Sequence, residues 1–289
     1  MKKPQWIVAV AGILLVAAIF IFGRTVPDKK TVVAETHSED DGHDHGPAGG
    51  AAALTTDSIL SFARKQLNSD QLTRISFLEN SITRGDVKTQ QLNVYHQLSH
   101  FWGDSMGFFP AYAWYEAEAA RLENSEKSLT FAAHLFLNNL QQEQNPGLRQ
   151  WEALQAKDLF ERSLSINPSN DSSTVGLGAT YLFGGIGMPM DGINLIRKVE
   201  AADSSNLYAH LTLVKGSILS GQLDKATSRL ETVNRLDPNN VEAILLMAEV
   251  LERSGKKKEA AQWYEKSLAL IKRADVIAEI EKRIALLKK

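Results

Sequence analysis

Three blocks of the C-terminal half align without gaps at a period of 34 residues, and a fixed period of that length leaves few folds open. The last block is "VEAILLMAEVLERSGKKKEAAQWYEKSLALIKR", from Val241, and the one before it is "LYAHLTLVKGSILSGQLDKATSRLETVNRLDPNN", from Leu207. A third starts at Ser173 with "STVGLGATYLFGGIGMPMDGINLIRKVEAADSSN". Overlaid, the blocks share a small or apolar pair: Ala179 and Thr180, Leu213 and Val214, Met247 and Ala248. Gly187, Gly221 and Gly255 then coincide, where a first helix must end and left-handed backbone is cheapest for glycine. Five residues on, Gly192, Ala226 and Ala260 mark where a second helix approaches the first closely. Larger apolar residues follow at Ile196, Leu230 and Tyr264, and Pro238 stands just past a second helix that it cannot continue.

Across residues 173–272 this pattern resembles the tetratricopeptide repeat, a helix–turn–helix unit of 34 residues. The resemblance implies an all-α fold, a right-handed solenoid with a concave groove, and a non-enzymatic role in binding a protein or peptide. In that family the groove is lined by first-helix positions two, five, nine, twelve and thirteen. Carried over by the gapless overlay, these are Thr174, Leu177 and Tyr181 in the first block. The second supplies Tyr208, Leu211, Lys215, Ile218 and Leu219, and the third Glu242, Leu245, Glu249, Glu252 and Arg253. The mixture suits an extended peptide or a partner helix anchored by Tyr181 and Tyr208. The chain departs from the family where Gly176, His210 and Ile244 replace the usual tryptophan, and where Ser204 replaces a terminal proline. The family's chaperone-binding subgroup clamps a C-terminal carboxylate with lysine, asparagine and arginine. Those positions here read mostly Leu, Thr, Tyr and Glu, so no clamp of that kind is expected.

Upstream the period loosens. "KDLFERSLSINPSN" reads as another second helix, with Ala156, Phe160, Ser163 and Pro168 at matching offsets. Its first helix is "SLTFAAHLFLNNL", and "QQEQNPGLRQ" is an enlarged turn between them. "LNVYHQLSHFW" and "PAYAWYEAEAARLEN" form a degenerate pair, so residues 92–172 are repeat-like. Residues 56–91 carry two amphipathic helices, the second with Ser69 as N-cap and Gly85 as C-cap. Residues 273–289 make a last helix with Val276, Ile280, Ile284 and Leu287 on one face, as a capping helix of a stack requires.

The other end of the chain is of a different kind. Trp6 to Phe22 is a run of seventeen uncharged residues, roughly 25 Å as a helix and near the lower limit for crossing a bilayer core. The run is longer than the apolar part of a cleaved signal peptide, and "FGRTVP" is a poor cleavage site. Residues 1–23 are therefore expected to be a transmembrane anchor, with Lys2 and Lys3 keeping the N-terminus in the cytoplasm. Residues 24–55 hold six acids against three bases, no aromatic residue, and "GPAGGAAA", which predicts a disordered acidic linker. As a flexible coil it spans roughly 30 Å. The layout resembles bacterial single-pass inner-membrane proteins with periplasmic repeats, some attending the secretion translocon and others cytochrome c maturation.

Candidate chemistry is sparse. With no cysteine and no nucleophile held by a base, an enzyme is not expected, and no cofactor is implied. A net charge of −2 gives no field for nucleic acid. Gly176 and Gly178 sit inside a first helix, where close packing explains them better than a phosphate loop. His37, His43 and His45 stand among carboxylates in the linker; they are the residues a metal-handling protein, the alternative function, would use. His96 and His100 lie one turn apart with no third ligand evident. From Arg253 to Lys289 there are eleven Lys/Arg against five Asp/Glu, a basic tip suited to an acidic partner or to anionic lipid.

Overall fold

The computed structural model describes residues 54–84 and 87–289. The expected anchor at residues 6–22, the linker with His37, His43 and His45, and the C-cap Gly85 lie outside these residues. Among the described residues there is no strand, and no helix is long and apolar enough to cross a membrane.

Thirteen α-helices fill the described chain. The first four are α1 (Thr56–Arg64), α2 (Ser69–Arg84), α3 (Lys88–His100) and α4 (Phe109–Glu123), with α3 running on into a single π-helical turn at Phe101–Ser105. Then come α5 (Glu126–Leu140), α6 (Pro146–Ile166), α7 (Asp171–Gly184) and α8 (Pro189–Ala202). The last five are α9 (Leu207–Leu219), α10 (Leu223–Leu236), α11 (Val241–Arg253), α12 (Lys257–Leu268) and α13 (Ala274–Leu287).

From α3 to α12 the helices pack in consecutive pairs, and each pair lies against the next. One helix alone cannot cover its apolar stripe, so burial is shared along the stack. Phe136, Trp151 and Phe160 centre one core between α5, α6 and α7, while Val214, Leu230 and Met247 centre another between α9, α10 and α11. The final helix closes the second core with Ile280, Ile284 and Leu287, and Val276 packs at its edge. Ala156, Phe160 and Ser163 are fully buried, as are Ile196, Leu230, Ala226 and Ala260.

The helix starts repeat a chemical device. Asn170, Asn206 and Asn240 each stand outside α7, α9 and α11 and accept a bond from the backbone N–H three residues on, at 2.8, 3.0 and 2.9 Å. Gly221 and Gly255 end α9 and α11 with φ of 71° and 78°, as the overlay requires.

In three places the structure corrects the sequence reading. Asn68, rather than Ser69, caps α2, exchanging bonds with Gln71 at 2.9 and 3.0 Å. The turn after α5 is shorter than residues 141–150, because Asn145 caps a helix whose first residue is Pro146. Proline at that position loses no hydrogen bond, so α6 gains an extra turn and reaches 21 residues. The third correction matters most. Gly185, with φ of 66°, ends α7, and Gly187 does not take positive φ. The cap Asn170 likewise stands 36 residues before Asn206 rather than 34. The first repeat therefore carries two extra residues in its turn, and α7 is displaced by two positions against α9 and α11.

That displacement gives the glycines of α7 their role. A Cβ on Gly176 would lie 2.2 Å from the Phe160 ring of α6, and one on Gly178 would lie 2.7 Å from the Gly192 carbonyl oxygen of α8. The helix is held on both sides too closely for any larger residue.

Candidate partner-binding cleft

A cleft of about 510 Å³ opens along the C-terminal ends of α5, α7, α9 and α11 and reaches the first turns of α6. In the corrected register Phe183, Leu219 and Arg253 are equivalent residues of three successive first helices, and all three line it. Such a row follows from stacking like helices in like orientation, since the same position then recurs along one face.

The apolar part is supplied by Leu140, Phe183, Ile218, Leu219 and Leu246. Leu219 is 68% exposed, and with Phe183 and Leu246 beside it in the same cleft it adds to apolar surface that a partner can cover. The charged part is Arg149, Lys215, Arg253 and Glu249. Lys215 Nζ lies 2.7 Å from Glu242 Oε1, bridging α9 to α11. Arg253 lies 3.4 Å from Glu249 and donates to the Ile218 carbonyl at 3.1 Å. Arg149 Nε donates to the Glu143 carbonyl at 3.0 Å. The Lys215–Glu242 and Arg253–Glu249 pairs are partly solvated, so each contributes at most about 1 kcal/mol and is readily exchanged for a ligand carboxylate.

Of the sequence-derived groove residues, Lys215, Ile218, Leu219, Glu249 and Arg253 come together in this cleft, and Glu242 borders it through Lys215. The others lie elsewhere. Leu177 and Tyr181 open onto a separate cleft with Asp191, Leu195 and Lys198 of α8. After the two-residue correction they fall on the Leu-Gly-x-x-Tyr core positions of the repeat, with Gly178 between them. Thr174 spends its hydroxyl on the Asn170 carbonyl at 3.0 Å. Tyr208 packs against the His134 ring with centroids 5.7 Å apart, and burial pushes its phenol well above the usual range. It is a packing residue more than an open anchor. Leu211 is buried and Leu245 is half-buried against the second core. Glu252 turns to the last helix, accepting from Arg283 Nε at 2.9 Å and from the Tyr264 hydroxyl at 3.3 Å.

Five lining residues escaped the overlay: Leu140, Gln141, Arg149, Phe183 and Leu246. Phe183 follows from the Asn170 cap and the Leu177-Gly178 pair; the residues of α5 and α6 had no period to reveal them. His96 Nδ1 lies 3.6 Å from Glu116 and His100 Nδ1 lies 3.0 Å from Asp104, so the two rings face different carboxylates. Among the described residues no group of three metal-ligating side chains is assembled.

The tetratricopeptide repeat family model matches residues 217–273. Among solved structures, a thermophilic protein of this repeat class from Thermus thermophilus is 18% identical, with 70% of this chain and 98% of that chain covered at a TM-score of 0.50. MamA from Desulfovibrio magneticus RS-1, residues 41 to the end, is 21% identical over 64% of this chain and 96% of that one, with a TM-score of 0.42. A repeat protein from Parabacteroides merdae ATCC 43184 is 12% identical over 79% and 96% of the two chains, with a TM-score of 0.40. No curated protein matches. Residues 217–273 thus match the tetratricopeptide repeat, and the described helices are similar in fold to a solved protein of that repeat class.

Proposed function

We propose that this chain is a non-enzymatic scaffold that holds an extended segment of a partner protein in the cleft between α5 and α11. The observation that carries the reading is the row Phe183, Leu219 and Arg253, with Lys215 and Arg149 beside it: apolar surface left open next to Lys215 and Arg253 in solvated ion pairs and Arg149 on a backbone carbonyl. An apolar anchor flanked by a carboxylate suits such a surface. The apolar run at residues 6–22 supports a tether in a bacterial inner membrane with the repeats on the periplasmic side, in an envelope assembly role.

Crosslinking in intact cells tests this, with the wild type beside a Leu219→Ala/Lys215→Glu/Arg253→Glu variant. A protein partner recovered with the wild type and depleted with the variant, while helical ellipticity is unchanged, is the expected result. Equal recovery with both would move the working surface away from this cleft.

A further inference from the structure

On another part of the stack, Arg197 of α8 and Lys225 and Arg229 of α10 converge on a cavity of about 60 Å³ at the end of α9. By this measure a water needs about 10–15 Å³, so the space admits about four waters or one tetrahedral oxyanion. No carboxylate lines it. Arg197 makes no ion pair among the described residues, and Lys225 meets only the side-chain oxygen of Gln222, at 2.6 Å. Gln222 in turn donates to the Ser220 hydroxyl at 2.9 Å, which holds the lysine over the cavity. Arg229 pairs through one Nη with Glu200, leaving the rest of its fork for another acceptor.

Three cations therefore gather at this cavity, and the single carboxylate paired with any of them, Glu200 on Arg229, lies on the adjoining cleft. Like charges are gathered at a cost unless an anion joins them, and two guanidinium groups with an ammonium match the oxygens of a phosphate group. Lys225 and Arg229 also line an adjoining cleft of about 320 Å³, where a substituent on that phosphate has room. The geometry points to a phosphate-binding site here, taking free phosphate or a small phosphomonoester. It lies apart from the proposed peptide cleft and shares no lining residue with it.

Calorimetric titration of the full chain in detergent, at constant ionic strength, tests this with inorganic phosphate and with glycerol 3-phosphate as probes. An Arg197→Gln/Lys225→Gln variant spares the Arg229–Glu200 pair. A Lys257→Gln/Lys258→Gln variant removes the same charge elsewhere, at an exposed helix start. Saturable binding that weakens about tenfold or more in the first variant only is expected, since each lost charge-assisted bond is worth about that factor. Tighter binding of the ester than of phosphate would assign the adjoining cleft to its substituent, and equal binding would assign free phosphate. No saturable binding below on the order of 10 mM, or equal weakening in both variants, would overturn the site.

Discussion

At the scale of the residue, Glu152 is the group whose chemistry departs most from its sequence. It lies fully buried on α6, accepts from Asn139 Nδ2 at 2.8 Å through one oxygen, and has no protein partner for the other. Burial pushes its carboxyl from 4.5 up to about 7, helped by Glu143 and opposed by the Asn139 bond and by Arg149. The sign of the consequence follows from proton binding: between pH 4.5 and 7 the folded state holds a proton that the unfolded chain has lost. The stability from Glu152 is thus complete below pH 4.5 and is lost as pH rises through 7. At about 1.4 kcal/mol per pH unit the loss is on the order of 3 kcal/mol. Urea melts of the wild type and Glu152→Gln at about pH 5 and about pH 8 will check it. The variant is expected to gain on the wild type by roughly 2–3 kcal/mol at the higher pH, and parallel pH profiles would contradict the assignment. Nothing in the local sequence announces this, because Glu152 lies upstream of Ala156, where the repeat offsets on this helix begin.

Elements were legible where caps, glycines and apolar residues obeyed one spacing. In α9 to α12, Asn206 and Asn240 start first helices and Gly221 and Gly255 end them at that spacing, so boundaries and buried faces follow directly. In α7 the same devices are present as Asn170 and Gly185, but two residues out of step. A gapless overlay turns that offset into a rotation of about 200° about the helix axis, which is why Leu177 and Tyr181 leave the groove and Phe183 enters it. The last helix was readable from its own stripe, and its energetic role can be tested. Ile280, Ile284 and Leu287 each bury a side chain worth about 1.5–3 kcal/mol, together roughly 5 kcal/mol or more. By contrast, Arg283–Glu252 and Lys288–Glu265 are surface pairs whose attraction solvent largely screens. An Ile280→Asp/Ile284→Asp variant should lower the urea midpoint of the C-terminal repeats clearly, whereas Arg283→Ala/Lys288→Ala should shift it little. The reverse order would mean that charge, not burial, holds the cap.

For the whole described molecule, a stack bound through nearest neighbours need not unfold as one unit. Its two large cores differ in composition. The core around α5 to α7 contains Phe136 and Trp151 in edge-to-face contact and Phe160 edge-on to the His134 ring, while the one around α9 to α13 is aliphatic and small apart from half-buried Trp263 and Tyr264. Aromatic side chains bury more area each and add contact energy beyond that area, so the C-terminal repeats should open first. The tryptophans are placed to report it: Trp102 and Trp151 are buried in the N-terminal half, and Trp263 lies near the other end. With Trp263 replaced by Phe, helical ellipticity in rising urea is expected to begin falling before the emission of the remaining tryptophans changes, Trp114 being packed against the same cores as Trp102 and Trp151. The proposed cleft spans both halves, taking Leu140 and Arg149 from one and Leu246 and Arg253 from the other. A peptide that fills it bridges the two, so bound partner should draw the ellipticity and emission transitions together. Coincident transitions in the free protein would show that the stack folds as a single cooperative unit and that the cleft is rigid before any partner arrives.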